Sequence, residues 1–146
     1  MAAVSNYLQN KLIDWLLRAQ SFTPPSETWL ALFTTAPTAA GGGTEVGTGL
    51  GYARAGITSA LANWAGTQAA SSTTASSGTS GSTSNNAQVS FGTSTSAWGT
   101  LVGIGLFDAS TGGNLLFFGN LSSSQTISAS NVQVYFNAAQ FASTLS

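Results

Sequence analysis

The sequence contains no cysteine and no histidine, and only seven of its 146 side chains are formally charged. These absences exclude chemistry before they suggest any. Without Cys there is no thiol nucleophile and no disulfide, and without His there is no imidazole base and no imidazole metal ligand. The four carboxylates, Asp14, Glu27, Glu45 and Asp108, are scattered, and no two share a short motif. The three cations, Lys11, Arg18 and Arg54, leave a net charge of −1 and no basic field for phosphates, so nothing favours nucleic acid. No apolar run approaches the roughly 20 residues that cross a bilayer, and residues 1–5 lack the basic and apolar regions of a secretory signal. The expectation is a protein with no catalytic residues, no cofactor and no metal, that binds neither nucleic acid nor membrane.

What is present argues for a folded body. Eight Phe, four Trp and three Tyr make general disorder an unsuitable description, and a chain of this length buries roughly 70% of the surface that its unfolded form exposes. Residues 1–146 read as one domain. With a charged fraction of 5%, the surface must be solvated by Ser, Thr, Asn and Gln. Repulsion between copies is then weak, which favours self-association.

Apolar residues at helical spacing predict one helix over residues 6–20, with Asn6 and Gln9 forming a capping-box-like start. On a helical wheel Leu8, Leu12, Trp15 and Ala19 make one stripe, extended by Leu16, while Ile13 and Leu17 fall on the opposite side. Lys11, Asp14 and Arg18 are spaced to pair along the flank. A helix apolar over so wide an arc must be covered on nearly all sides, within its own domain or by another subunit. Ile13 and Leu17 are therefore candidate subunit contacts. Pro24 and Pro25 end the helical stretch.

Beyond the helix the pattern is that of short strands and turns, as in an all-β sandwich or barrel. Residues 29–34 read as a buried strand, with Trp29 in the core, and 52–57 as a second strand, with Arg54 and Glu45 placed to pair across it. Residues 67–86 hold only small or polar side chains and read as a long exposed loop. The second half, 88–146, is β-rich. Strands are expected at 88–91, 101–107, 115–119, 125–127, 132–136 and 141–145, for seven or eight in the chain. Residues 108–114 form the turn of the clearest hairpin. Alternate glycines at 103 and 105 imply a close neighbour on that face.

No motif carries chemistry. Neither Gly41-Gly42-Gly43 nor Gly103-Ile104-Gly105 has the strand-to-helix context or the Lys of a phosphate loop. Asp108 is explained by a turn, where it accepts backbone N–H groups. Ser and Thr are abundant but have no base to activate them. Trp64 and Trp98 are further candidates for an exposed contact surface, since an indole suits an interface as well as a core.

The runs Ser5-Asn6-Tyr7-Leu8-Gln9-Asn10-Lys11-Leu12-Ile13-Asp14, Leu30-Ala31-Leu32-Phe33-Thr34-Thr35-Ala36-Pro37-Thr38 and Gly51-Tyr52-Ala53-Arg54 resemble a family of small tailed-bacteriophage virion proteins. The later Ala97-Trp98-Gly99-Thr100, Gly105-Leu106-Phe107-Asp108-Ala109 and Thr111-Gly112-Gly113-Asn114-Leu115-Leu116 continue the match in order. Members are labelled tail fibre protein, and similar proteins act as head decoration or cementing proteins. The resemblance implies a mainly β protein, a jelly-roll-like antiparallel β-sandwich with one N-terminal α-helix. It implies a capsid decoration protein on the outer surface of the virion head, assembled in the host cytoplasm. Its partners would be the major capsid protein and itself, as a dimer or trimer. The alternative is a tail or tail-fibre structural protein involved in host contact. A glycan-cleaving enzyme would need paired carboxylates, which the sequence does not offer.

Overall fold

Residues 27–35, centred on the apolar run Trp29-Leu30-Ala31-Leu32-Phe33, and residues 99–107, where glycines 103 and 105 flank Ile104, form the two nine-residue strands at the centre of the molecule. The computed structural model describes residues 2–145. In chain order the elements are β1 (Ala3–Val4), α1 (Asn6–Leu17), β2 (Glu27–Thr35), β3 (Thr44–Glu45), β4 (Ala55–Thr58), β5 (Ser82–Ser84), β6 (Val89–Thr93), β7 (Gly99–Phe107), β8 (Leu115–Ile127), β9 (Gln133–Phe136) and β10 (Ala142–Thr144). The architecture is mainly β, consistent with a β-sandwich, with one helix and antiparallel sheets.

The large sheet runs β1-β8-β7-β2, and the far edge of β2 is shared by β3 and β4. Two short pairs, β6 with β9 and β5 with β10, complete the layers. Leu30 and Leu32 of β2 with Leu101, Ile104 and Leu106 of β7 face the main core, which Val89, Phe91 and Phe141 close from the smaller pairs. The opposite face of β2 is also covered: Ala31 and Phe33 are buried, so this strand reads as a continuous apolar run.

Glycines allow the close approach on that second face. A Cβ on Gly103 would lie 2.7 Å from the Ala36 Cα, and one on Gly105 would lie 2.9 Å from the Leu115 side chain. The segment following β2 thus rests directly on β7, as the alternate glycines predict. The hairpin of β7 and β8 is present too, but β8 is one thirteen-residue strand in place of the two separate strands expected at 115–119 and 125–127. Pairing with β7 resumes at Gln125 after a register shift that leaves residues 121–124 without a partner on β7, so one strand spans both expected segments.

Several boundaries differ from expectation. Ser5, not Asn6, caps the helix: its hydroxyl accepts the Leu8 N–H at 3.2 Å and donates to the Leu115 carbonyl. The helix stops at Leu17, not residue 20, because Ala19 turns left-handed at φ 55° and Gln20 N–H bonds back to the Asp14 carbonyl. Residues 52–54 lie outside β4, with the Ala53 N–H bonded to the Phe91 carbonyl of β6. The 67–86 loop is shorter than expected, since β5 forms within it and Ser84 and Asn85 are buried.

Candidate assembly surface

The helix is anchored at one end only. Val4, Leu8 and Leu116 make a small core, packed by Tyr7, Leu12, Phe22 and Phe117. Beyond Leu12 the helix outruns its support. Trp15 and Leu16, expected to face the domain with Leu8, are 54% and 72% exposed. Ile13 and Leu17 are exposed as well, at 51% and 75%. The last two turns therefore form an apolar knob. Arg18 pairs with Asp14 at 2.8 Å, while Lys11 lies over the Tyr7 ring at 5.7 Å and takes no part in that pair, contrary to the expected three-residue series.

A second apolar feature is concave. A groove of about 550 Å³ is lined by Trp64, Ala65, Phe117 and Ser143, with Leu61 and Leu145 among its residues, and among the described residues no charged side chain lines it. Leu61 and Leu145 are exposed. Trp64 is half-buried, with its ring edge-on to Phe141 at 6.0 Å. It retains a face in the groove, where an interface could use it.

Trp98, expected as a candidate exposed contact, is instead buried within the chain. It is 4% exposed, its Nε1 donates to the Leu50 carbonyl at 2.7 Å, and its ring meets Tyr52 edge-on at 5.4 Å. Small polar neighbours in sequence gave no hint of this burial. Trp29 departs the other way: it is half-buried, on the opposite face of β2 from Leu30 and Leu32.

Three of the scarce polar groups build an internal clamp. Arg54 and Glu45 do pair, through Nε to Oε1 at 2.9 Å and Nη2 to Oε2 at 2.8 Å. Arg54 Nη1 also donates to the carbonyls of Ala109 and Gly112, and its guanidinium lies 3.8 Å from the centre of the Phe107 ring. Tyr52 joins this group: its hydroxyl donates to Glu45 Oε1 at 2.9 Å and accepts the Leu32 N–H at 3.0 Å. Burial, and then the Glu45 carboxylate beside it, push the Tyr52 phenol well above its ordinary range, although the Leu32 N–H and Arg54 act the other way.

The clamp ties the β7–β8 turn to β3 and to the centre of β2. Within that turn Asp108 accepts the Asn114 N–H at 2.6 Å and the Asn114 amide at 2.8 Å, as a turn residue should. Gly41, Gly42 and Gly43 all adopt positive φ between β2 and β3, so they serve a turn. Among the described residues no group of three or more His, Cys, Asp or Glu is placed to hold a metal.

Another cluster escaped the sequence reading. Asn85 is 1% exposed; its amide donates to the carbonyls of Ala87 and Asn137, and its Oδ1 accepts the Phe141 N–H at 2.9 Å. Its role depends on partners more than fifty residues away, so only the Asn-Asn pair following a polar tract could have signalled it.

The knob, the clamp and all of the groove but Leu145 fall inside one family match. The model of a family described as podophage GP4 fiber I protein gp80 matches residues 3–144. The chain belongs to this family. It is thus a phage virion structural protein, in agreement with the resemblance read from the sequence. No curated protein matches the chain. Knob and groove are accordingly surfaces of a fibre-family chain. Phe117 packs against the small Val4, Leu8 and Leu116 core and also lines the groove.

Proposed function

We propose that the chain is a non-catalytic structural subunit of a phage tail fibre, present in several copies and held by apolar and hydroxyl contacts to itself and to other virion chains. The description of its family as a fibre protein, over almost the whole length, carries this reading. The scarcity of charge supports it, since neutral surfaces are buried between subunits without the cost of desolvating ions. A cleft of about 580 Å³ that includes Asn120, Gln125, Gln133, Gln140 and Tyr135 gives the fibre reading a place for host contact, because it offers amide and phenol groups and no charge.

A second reading is decoration of the head, in which the chain bridges copies of the major capsid protein on the outer capsid surface. The neutral, hydroxyl-rich exterior favours it to the same degree, and the family description does not. Gold labelling of intact particles with an antibody to the chain separates the two. Grains confined to the tail region, a handful per particle, are expected; hundreds spread over the head would replace the fibre reading with decoration.

A further inference from the structure

The cleft of about 580 Å³ lies where the strand pairing of the molecule breaks. One wall includes Leu121, Ser122 and Ser123 of β8, in the stretch 121–124 that has no partner on β7. Bulges of this kind re-aim side chains and recur beside binding sites. The other wall is β9, which among the described residues pairs only with β6. Alternation along β9 sends Val134 and Phe136 against the main core and leaves Gln133 and Tyr135 exposed. These two therefore share a face, about 7 Å apart along the strand.

The polar side chains of the cleft are idle. Asn120 and Gln125 on β8, and Gln133 and Tyr135 on β9, make no side-chain hydrogen bond among the described residues. Elsewhere such amides hold the fold together. Asn85 ties three segments, and Gln68 bonds to Ser72, Thr74, Ala75 and Ser77 across the polar loop. The Tyr135 ring is 45% exposed. Charge is missing on every side: no charged side chain among the described residues lines the cleft, and residues 109–146 contain none at all.

We infer that this cleft binds an uncharged saccharide. The inference rests on the reading of the cleft as a place of contact for a fibre-family chain, and it names the class of ligand. A charged ligand would lose its water there with no counter-ion in exchange, and a wholly apolar one would leave the amides without partners. A hydroxyl both donates and accepts a hydrogen bond, and so does an Asn or Gln side chain. A ligand dense in neutral hydroxyls thus matches amides presented from both walls. A sugar ring also carries a face of C–H groups, which suits the exposed phenol ring and the half-buried Leu121 and Val134. The volume falls within the roughly 300–1,000 Å³ of small-molecule sites. An extended peptide would instead bond through its backbone to a strand edge, with no need of side-chain amides on both walls.

The test titrates the full chain with neutral monosaccharides and oligosaccharides of glucose, galactose, mannose and rhamnose. An acidic oligosaccharide of galacturonate and an uncharged β-forming peptide are run beside them. Heteronuclear NMR follows the side-chain amides of Asn120, Gln125 and Gln133 up to about 10 mM ligand, enough to saturate a millimolar site. At least one neutral saccharide should shift these resonances saturably. A response to oligomers alone assigns a glycan chain, and one shared by the monomers assigns a single sugar. Tyr135→Ala should weaken binding about tenfold, Tyr135→Phe should weaken it less, and Gln125→Ala with Gln133→Ala should abolish it. All of these positions are exposed, and circular dichroism verifies the fold. Silence of every neutral saccharide overturns the site. So does equal or tighter binding of the acidic oligosaccharide or the peptide, or binding that neither Tyr135→Ala nor the double variant alters. These results leave the fibre reading standing, whereas gold grains over the head would remove that reading without changing what the cleft binds in solution.

Discussion

The two ion pairs among the described residues have the same closest distance, 2.8 Å, and belong to opposite kinds of structure. Asp14 and Arg18 sit on the helix flank with side chains 34% and 70% exposed, and the pair there competes with water. Glu45 and Arg54 are 28% and 8% exposed, joined by two bonds, with an aromatic ring under the cation and two turn carbonyls on its remaining N–H groups. Distance alone does not rank them. The surroundings do: one pair keeps an edge soluble, and the other fixes where a hairpin turn lies on the sheet.

The sharpest way to break the comparison is Arg54→Ala. It leaves Glu45 without its counter-ion, frees the carbonyls of Ala109 and Gly112, and uncovers Phe107. Removing one partner of such a buried pair costs about 3–5 kcal/mol, which chemical denaturation should register as a large fall in the midpoint. A fall below about 1 kcal/mol, the value of a surface pair, would show that burial adds nothing at this site.

How far the sequence allowed this contrast to be foreseen depended on the range of each interaction. Residues 29–34 and the 101–119 hairpin were legible because alternation and turn residues are local. So was the Glu45–Arg54 pairing, nine positions apart. Strands β1, β3 and β5 have only two or three residues, too few to show a period, and were missed. Tyr52 and Asn85 find their partners only once the layers meet. The helical wheel grouped Leu8 with Trp15 and Leu16, but it cannot say where the support beneath the helix ends. That limit is why two expected core residues are exposed. The burial of Trp98 likewise depends on Tyr52 and Leu50, more than forty positions earlier.

Tyr52 makes the clamp sensitive to alkali, which the helix pair should not be. Its folded-state proton is held above the ordinary phenol value of 10.0. The folded form therefore keeps a proton that the unfolded chain releases. The linked stability is complete below about pH 10 and is lost as pH rises above it toward the folded value. The denaturation midpoint should fall as pH rises above about 10, and Tyr52→Phe should lessen that fall while lowering stability at pH 8 by about 1 kcal/mol for the lost hydrogen bonds. An identical alkaline decline in the variant would assign the effect elsewhere.

The smallest expected effect is that of Arg18→Ala. The pair with Asp14 is an i,i+4 contact with the acid on the N-terminal side, its favourable orientation, and measured pairs of this kind contribute about 0.3–0.5 kcal/mol. Arg18 also caps the helix C-terminus, where a cation is mildly favoured. Monomer stability should therefore shift by no more than about 0.5 kcal/mol, and the shift should shrink in 1 M salt, where the screening length falls to roughly 3 Å. The same change would leave Asp14 as an uncompensated charge beside Ile13 and Leu17. Association, read by sedimentation at low salt, should then weaken more than folding does, and added salt should restore part of it. If stability falls by more than 1 kcal/mol, Arg18 is holding the helix end in place. The difference between the two ion pairs would then be one of degree.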